Sequence, residues 1–127
     1  MERIYTIGHS NKSFEVFLEK LKENGIEALV DVRSIPRSRF YPWFNEKKLA
    51  EALPKEGIAY VPRGSSLGGK LENTGYDEAI EELVAGAVSG KRICVMCSEG
   101  KYQACHRHTM LEPSLRERGI GIEHIEY

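Results

Sequence analysis

The stretch richest in reactive residue types is Val30 to Asn45, V-D-V-R-S-I-P-R-S-R-F-Y-P-W-F-N, which holds three arginines, two prolines and four aromatics. Arginine forks match phosphate and carboxylate oxygens bidentately, and aromatic rings offer stacking faces. The pattern points to one wall of an anion-binding site. Arg33 is its candidate clamp, and Asp31 would either orient the guanidinium or act as a base. The alternative is a plain Asp31–Arg33 ion pair that fastens the loop. Arg37 and Arg39 are either further anion contacts or solvated loop charges. Tyr41, Trp43 and Phe44 either pack beneath their own loop or stack on a ligand, with Trp43 the candidate contact.

Three further groups carry chemistry. In G-H-S-N, His9 follows a strand and a glycine, so its ring can project into a crevice as acid–base catalyst or phosphate contact, with Ser10 and Asn11 beside it. A structural histidine held by a backbone partner is the alternative. In C-S-E-G-K-Y-Q-A-C-H-R, Cys97 ends an apolar strand, where a packing thiol is the default. Cys105 should lie near a helix start, where the dipole, His106 and Arg107 favour thiolate, making it a candidate nucleophile. Gln103 stands where the cysteine–five residues–arginine pattern of cysteine phosphatases needs arginine, so that mechanism is set aside. Cys97, Cys105, His106 and His108 match no standard zinc spacing, and no metal is expected. Glu99 is a carboxylate that could serve as a general base if burial raised its pKa. Cys94, three residues before Cys97 on the same strand, should face the opposite side and belong to the core.

These residues need a scaffold that brings them together. Apolar runs predict strands at Ile4–Ile7, Glu27–Val32, Ile58–Val61, Arg92–Cys97 and Gly121–Tyr127. The fourth, apolar throughout, should be central; the fifth, of mixed charge, should be an edge. Helices are expected after Ser13 as N-cap, with Phe14, Phe17, Leu18 and Leu21 on one face and a stop at Asn24-Gly25, and after Asn45, broken at Pro54. A third follows Asp77, and a fourth follows Cys105 with Pro113 kinking or ending it. Pro62 to Tyr76 is expected to be a glycine-rich loop. Strands alternating with helices give an α/β three-layer sandwich, with a mainly parallel sheet of about five strands and Rossmann-like topology. Ligands in such sheets bind beyond the carboxyl ends of the strands. His9 and Ser10, Arg33, the Gly68-Gly69 loop and Cys97-Ser98-Glu99 follow strands one to four, so all should share one rim.

The 127 residues suggest one domain spanning 1–127. With 41% hydrophobic and 29% charged residues, the composition fits a soluble globular protein and argues against disorder. A net charge of −1 argues against a wholesale electrostatic grip on nucleic acid, so any basic feature must be local. No run approaches the roughly 18 apolar residues of a membrane span. Met1-Glu2-Arg3 runs straight into a strand, leaving no room for a signal peptide, and the three cysteines are too few for a secreted disulfide framework. A cytoplasmic location follows as the expectation.

Four ordered motifs, T-I-G-H-S-N (Thr6 to Asn11), V-D-V-R-S-I-P-R-S-R (Val30 to Arg39), L-G-G (Leu67 to Gly69) and M-C-S-E…A-C-H-R (Met96 to Arg107), give the chain a resemblance to the domain of unknown function 488 family over nearly its full length. The resemblance implies a compact α/β domain with a parallel sheet and supplies no settled reaction. It marks His9, Ser10, Asn11, Asp31, Arg33, Pro36, Arg39, Gly68, Gly69, Cys97, Glu99, Cys105, His106 and Arg107 as motif positions. Pro113 departs from the uninterrupted helix usual after C-H-R.

The leading expectation is a small enzyme for a phosphorylated, nucleotide-like or nucleic-acid substrate. His9, Asp31, Glu99 and Cys105 are its catalytic candidates. Ser10, Asn11, Arg33, Arg39, Trp43, Gly68, Gly69, Cys97, His106 and Arg107 would bind substrate. No cofactor is specified; the expected partner is an anionic small molecule or nucleic-acid fragment, not a membrane. A non-catalytic nucleotide- or RNA-binding module and a cysteine-dependent sulfur-transfer or redox protein are the rivals.

Overall fold

The computed structural model of the chain describes residues 2–67, 75–99 and 110–127. Five strands, β1 (Arg3–Gly8), β2 (Ala28–Asp31), β3 (Ala59–Pro62), β4 (Ile93–Cys97) and β5 (Gly121–His124), form one all-parallel sheet in the order β3-β2-β4-β1-β5. The expected α/β class and Rossmann-like layering hold. The apolar I-C-V-M-C of β4 is buried along its whole length at the centre, where Val95 pairs with Thr6 on one side and Val30 on the other. The mixed-charge β5 is an edge, as its composition required.

Helix α1 (Phe14–Glu23) starts where Ser13 Oγ accepts a hydrogen bond from Val16 N at 3.2 Å, and ends at Asn24 with Gly25 at φ +64°. It buries Phe17 and Leu21, each worth about 1.5–3 kcal/mol of transfer free energy. Helix α2 (Glu46–Lys55) buries Leu49 and Leu53. Asn45 stands at its cap position but gives no side-chain cap, because its Oδ1 accepts from Ser38 N at 2.7 Å instead. Pro54 does not break this helix; it sits in the last turn, and the helix runs on to Lys55. The segment expected to be loop contains one helical turn, α3 (Gly64–Leu67). Helix α4 (Tyr76–Val88) is preceded by Gly75 in the left-handed region, with Asp77 inside the first turn rather than at the cap. Pro113 is the second residue of α5 (Glu112–Arg116), which directly follows a π-helical turn at Met110 and Leu111; the expected helix start at Cys105 lies outside the described residues.

Strand order sets which face each helix covers. From β1 the chain moves leftward to β2 and β3, then turns back to β4 and β5. With right-handed crossovers, α1 and α2 fall on one face and α4 and α5 on the other. The core divides accordingly. Phe17, Leu21, Leu49 and Leu53 pack with Cys94 and Met96, whereas Ile80, Leu83, Ala87 and Leu115 pack with Val95 and Cys97. Cys94 and Cys97 thus face opposite sides, as their spacing predicted. Among the described residues, no helix is long and apolar enough to cross a membrane.

Candidate functional site

Strands β1 and β4 are neighbours whose outgoing connections leave for opposite faces, the arrangement that opens a crevice at the carboxyl end of a parallel sheet. Backbone pairing continues past both strands there. His9 N donates to Cys97 O at 3.0 Å and Ser10 N to Ser98 O at 2.9 Å. Ser10 adopts φ +51°, a left-handed conformation uncommon for serine. A cavity of about 510 Å³ lies at this point. His9, Ser10 and Asn11 line it from the end of β1, Ser98 and Glu99 from the end of β4, and Arg37, Ser38 and Tyr41 from the arginine-aromatic loop.

His9 is 3% exposed, and its ring stacks on Phe44, with centroids 4.4 Å apart and planes 18° from parallel. Its Nδ1 lies 2.8 Å from Ser10 O. A carbonyl only accepts, so Nδ1 carries the proton. Burial lowers the His9 pKa to about 4, with the Arg33 charge acting in the same direction while the Ser10 carbonyl and Asp31 oppose it. At neutral pH the ring is therefore uncharged and Nε2 holds a free lone pair. That atom is buried without a hydrogen-bond partner.

At the end of the next strand but one, Asp31 and Arg33 form a buried pair, 1% and 4% exposed. Arg33 Nε donates to Asp31 Oδ1 at 2.9 Å and Nη2 to Oδ2 at 2.6 Å. The same carboxylate accepts from Arg33 N at 3.1 Å and from the Tyr60 hydroxyl at 2.6 Å. Burial first, and then Asp31, push the Tyr60 phenol up, so it remains a donor. Asp31 thus carries four hydrogen bonds and fixes the guanidinium in one orientation. Arg33 Nη1 is left buried with no partner. It and His9 Nε2 are the two such side-chain atoms among the described residues, and both lie at the carboxyl rim of the sheet. The turn α3 presses against this pair from β3: a Cβ on Gly64 would stand 1.8 Å from Arg33 O.

The sequence-derived candidates divide. His9, Ser10, Asn11 and Glu99 share the cavity, and Asp31 with Arg33 lies buried behind its rim without lining it. Cys97 is 3% exposed, its Sγ 3.6 Å from Glu99 O. Arg39 is solvent-exposed, 5.9 Å from the Phe40 ring centroid, and does not line the cavity. Trp43 donates Nε1 to Lys12 O at 2.9 Å and lines a separate cavity with Phe14 and Lys48. Gly68, Gly69, Cys105, His106 and Arg107 lie outside the described residues. Ser98 lines the cavity at the expected strand end; Ser38 and Tyr60 carry no sequence signal for a role, and for Arg37 the sequence leaves two alternatives open. Tyr60 acts across strands, 29 residues from Asp31, and no local pattern announces it. No cluster of three or more metal-ligating side chains occurs among the described residues.

The family model described as "Domain of unknown function DUF488" matches residues 13–73. Proteins named "DNA ligase" from three strains of Pseudomonas putida are similar over 64 residues, one at 44% identity and two at 42%, covering 46% of this chain and 8% of each relative. The chain thus spans about 8% of the length of these curated relatives. No solved structure matches it. The matched segment carries the V-D-V-R and L-G-G motifs together with Arg33 and its supports Asp31, Tyr60 and Gly64, and over these residues the chain is similar to the DUF488 family.

Proposed function

We propose that the crevice between β1 and β4 is the active site of a small enzyme for a phosphate-bearing substrate of the nucleotide or nucleic-acid class. One observation carries this reading: among the described residues, the two buried side-chain polar atoms without partners are a basic lone pair, His9 Nε2, and a cationic donor, Arg33 Nη1, at the same sheet rim. Leaving such groups unpaired costs about 1–3 kcal/mol each, more for the charged one, and a ligand that pairs with them removes that cost.

In this reading Arg33 supplies fixed positive charge, held by Asp31 and Tyr60 rather than by the ligand. Asp31 is a positioning residue, its lone pairs already engaged. Arg37, exposed on the cavity wall, meets the anion from the open side. Neutral His9 takes a proton from an attacking hydroxyl or water, and its Nδ1–H bond to Ser10 keeps the accepting nitrogen inward. Glu99, at the exposed lip, is the second acid–base group. Similarity over 64 residues to part of proteins named DNA ligase supports the nucleic-acid class.

Thermal unfolding across nucleotides, sugar phosphates and short oligonucleotides, with Arg33→Ala in parallel, tests the reading. A ligand at a hundred times its Kd adds about 2.7 kcal/mol. The expected result is a stabilisation by phosphate compounds that Arg33→Ala abolishes. Equal stabilisation of both proteins, or none of either, would overturn it.

A further inference from the structure

The Arg37 side chain stands between two hollows. One is the His9 cavity; the other, of about 480 Å³, is lined by Pro36, Arg37, Asn45, Glu46, Lys47 and Lys48. Arg37 lines both, so the second hollow, over the start of α2, adjoins the crevice across this side chain. Arg37, Lys47 and Lys48 are exposed, and so is Arg39 on the same loop. None of the four forms an ion pair among the described residues, although eight other lysine or arginine ion pairs do form there. Glu46 is the one carboxylate on this second hollow. A chain of net charge −1 therefore sets three cations, Arg37, Lys47 and Lys48, against the single Glu46 carboxylate along this hollow.

Beside these cations, the loop exposes apolar surface that it could have buried. Phe40 is 76% exposed and Ile35 57%. Phe40 stands next to Tyr41, with ring centroids 6.5 Å apart, and Tyr41 lines the crevice. The Arg39 guanidinium lies 5.9 Å from the Phe40 centroid. Cations for a backbone and an open aromatic face for a base are the two requirements of single-strand binding. A duplex keeps its bases stacked and cannot present one to Phe40.

Resting on the reading of the crevice given above, we infer that the substrate is a single strand of nucleic acid rather than a free nucleotide. The strand reacts at His9, stacks a neighbouring base on Phe40 and lays its next phosphates along Arg37, Lys47 and Lys48.

Fluorescence-anisotropy titrations of the chain with labelled single strands of one, two, four and eight nucleotides, as DNA and as RNA, test this. Kd should fall at least tenfold between one and four nucleotides with one or both sugars. Each phosphate neutralised on a single strand contributes about 0.7 to the slope of log Kd against log salt, so Lys47→Gln with Lys48→Gln should lower it by about 1.4. Phe40→Ala should weaken the longer strands about tenfold and leave the mononucleotide unchanged. A Kd that ignores length, or a salt slope unmoved by the lysine changes, overturns the inference. Mononucleotide binding that Arg33→Ala abolishes, with no length effect, would leave the crevice reading standing and sink the strand. Length-dependent binding with an intact response in Arg33→Ala would do the reverse. Self-association abolished by Phe40→Ala, with no strand bound, would assign the apolar face to a protein contact and also overturn the proposal.

Discussion

The ring of His9 lies flat on the ring of Phe44, 4.4 Å between centroids, and Phe44 meets Phe17 edge-on at 5.0 Å. One residue after β1 is thereby seated on the loop that follows β2, with α1 as the floor. Burial is the leading cause of the lowered His9 pKa, and Phe44 supplies one whole face of that burial. Phe44→Leu keeps the site apolar but removes the flat contact. Titration of the His9 ring by NMR should then show a pKa above the wild-type value of about 4, moving toward the ordinary 6.5. A value unmoved in the variant would remove Phe44 from the explanation.

The same shift fixes a dependence of stability on pH. The unfolded chain takes a proton on His9 near 6.5, whereas the folded chain resists until about 4. Between these values the unfolded state binds more protons, so the His9 contribution is fully present above pH 6.5 and is lost as pH falls toward 4, by about 3 kcal/mol in all. His9→Gln has no such titration. Urea midpoints measured from pH 4 to 7 should fall more steeply toward acid in the wild type than in the variant; parallel curves would contradict the assignment.

Removing one member of the Asp31–Arg33 pair leaves a buried charge uncompensated. Asp31→Asn should cost about 3–5 kcal/mol in urea unfolding. Adding Arg33→Met should recover part of that loss, because the stranded cation is gone and residues in contact are not additive. Costs that simply sum would mean the two side chains do not act as a unit.

Much of the scaffold was legible because its signals are local. The unbroken apolar run of β4 marked the centre, the mixed charge of β5 an edge, and Ser13 the start of α1. Strand-end placement put His9, Arg33 and Glu99 just past the carboxyl ends of β1, β2 and β4, where the structure has them. Local reading failed where a polar group had two possible partners. Asn45 fits a cap by type, but Ser38 N claims its oxygen. It also failed within the irregular loop, where no period separates Arg37, on the cavity wall, from Arg39, outside it. The support of Asp31 by Tyr60 depends on β3 lying beside β2, which is a property of the sheet and not of either segment.

Gly64 shows the same limit. Its segment is glycine-rich, yet the reason for this glycine is a backbone 1.8 Å from the place a Cβ would occupy. Gly64→Ala should force the Arg33 backbone aside, costing about 1–3 kcal/mol as overpacking does and weakening phosphate-ligand binding. Gly57→Ala is the control. At φ +78° with open space around it, it should strain the chain without touching ligand affinity. Calorimetric titration of both variants separates the two effects; unaltered affinity in Gly64→Ala would contradict the close-approach argument.

His9 Nε2 and Arg33 Nη1, both buried without a partner among the described residues, should answer to the same ligand. Nitrogen-15 spectra of the histidine rings and arginine side chains, recorded at pH 7 while a nucleoside monophosphate is added, test it directly. Before addition, His9 should be neutral with its proton on Nδ1. During the titration, His9 Nε2 and the Arg33 guanidinium should shift together and saturate with one Kd. Binding that moves neither signal, or that shifts one with a different Kd from the other, would mean that the two nitrogens do not share a ligand.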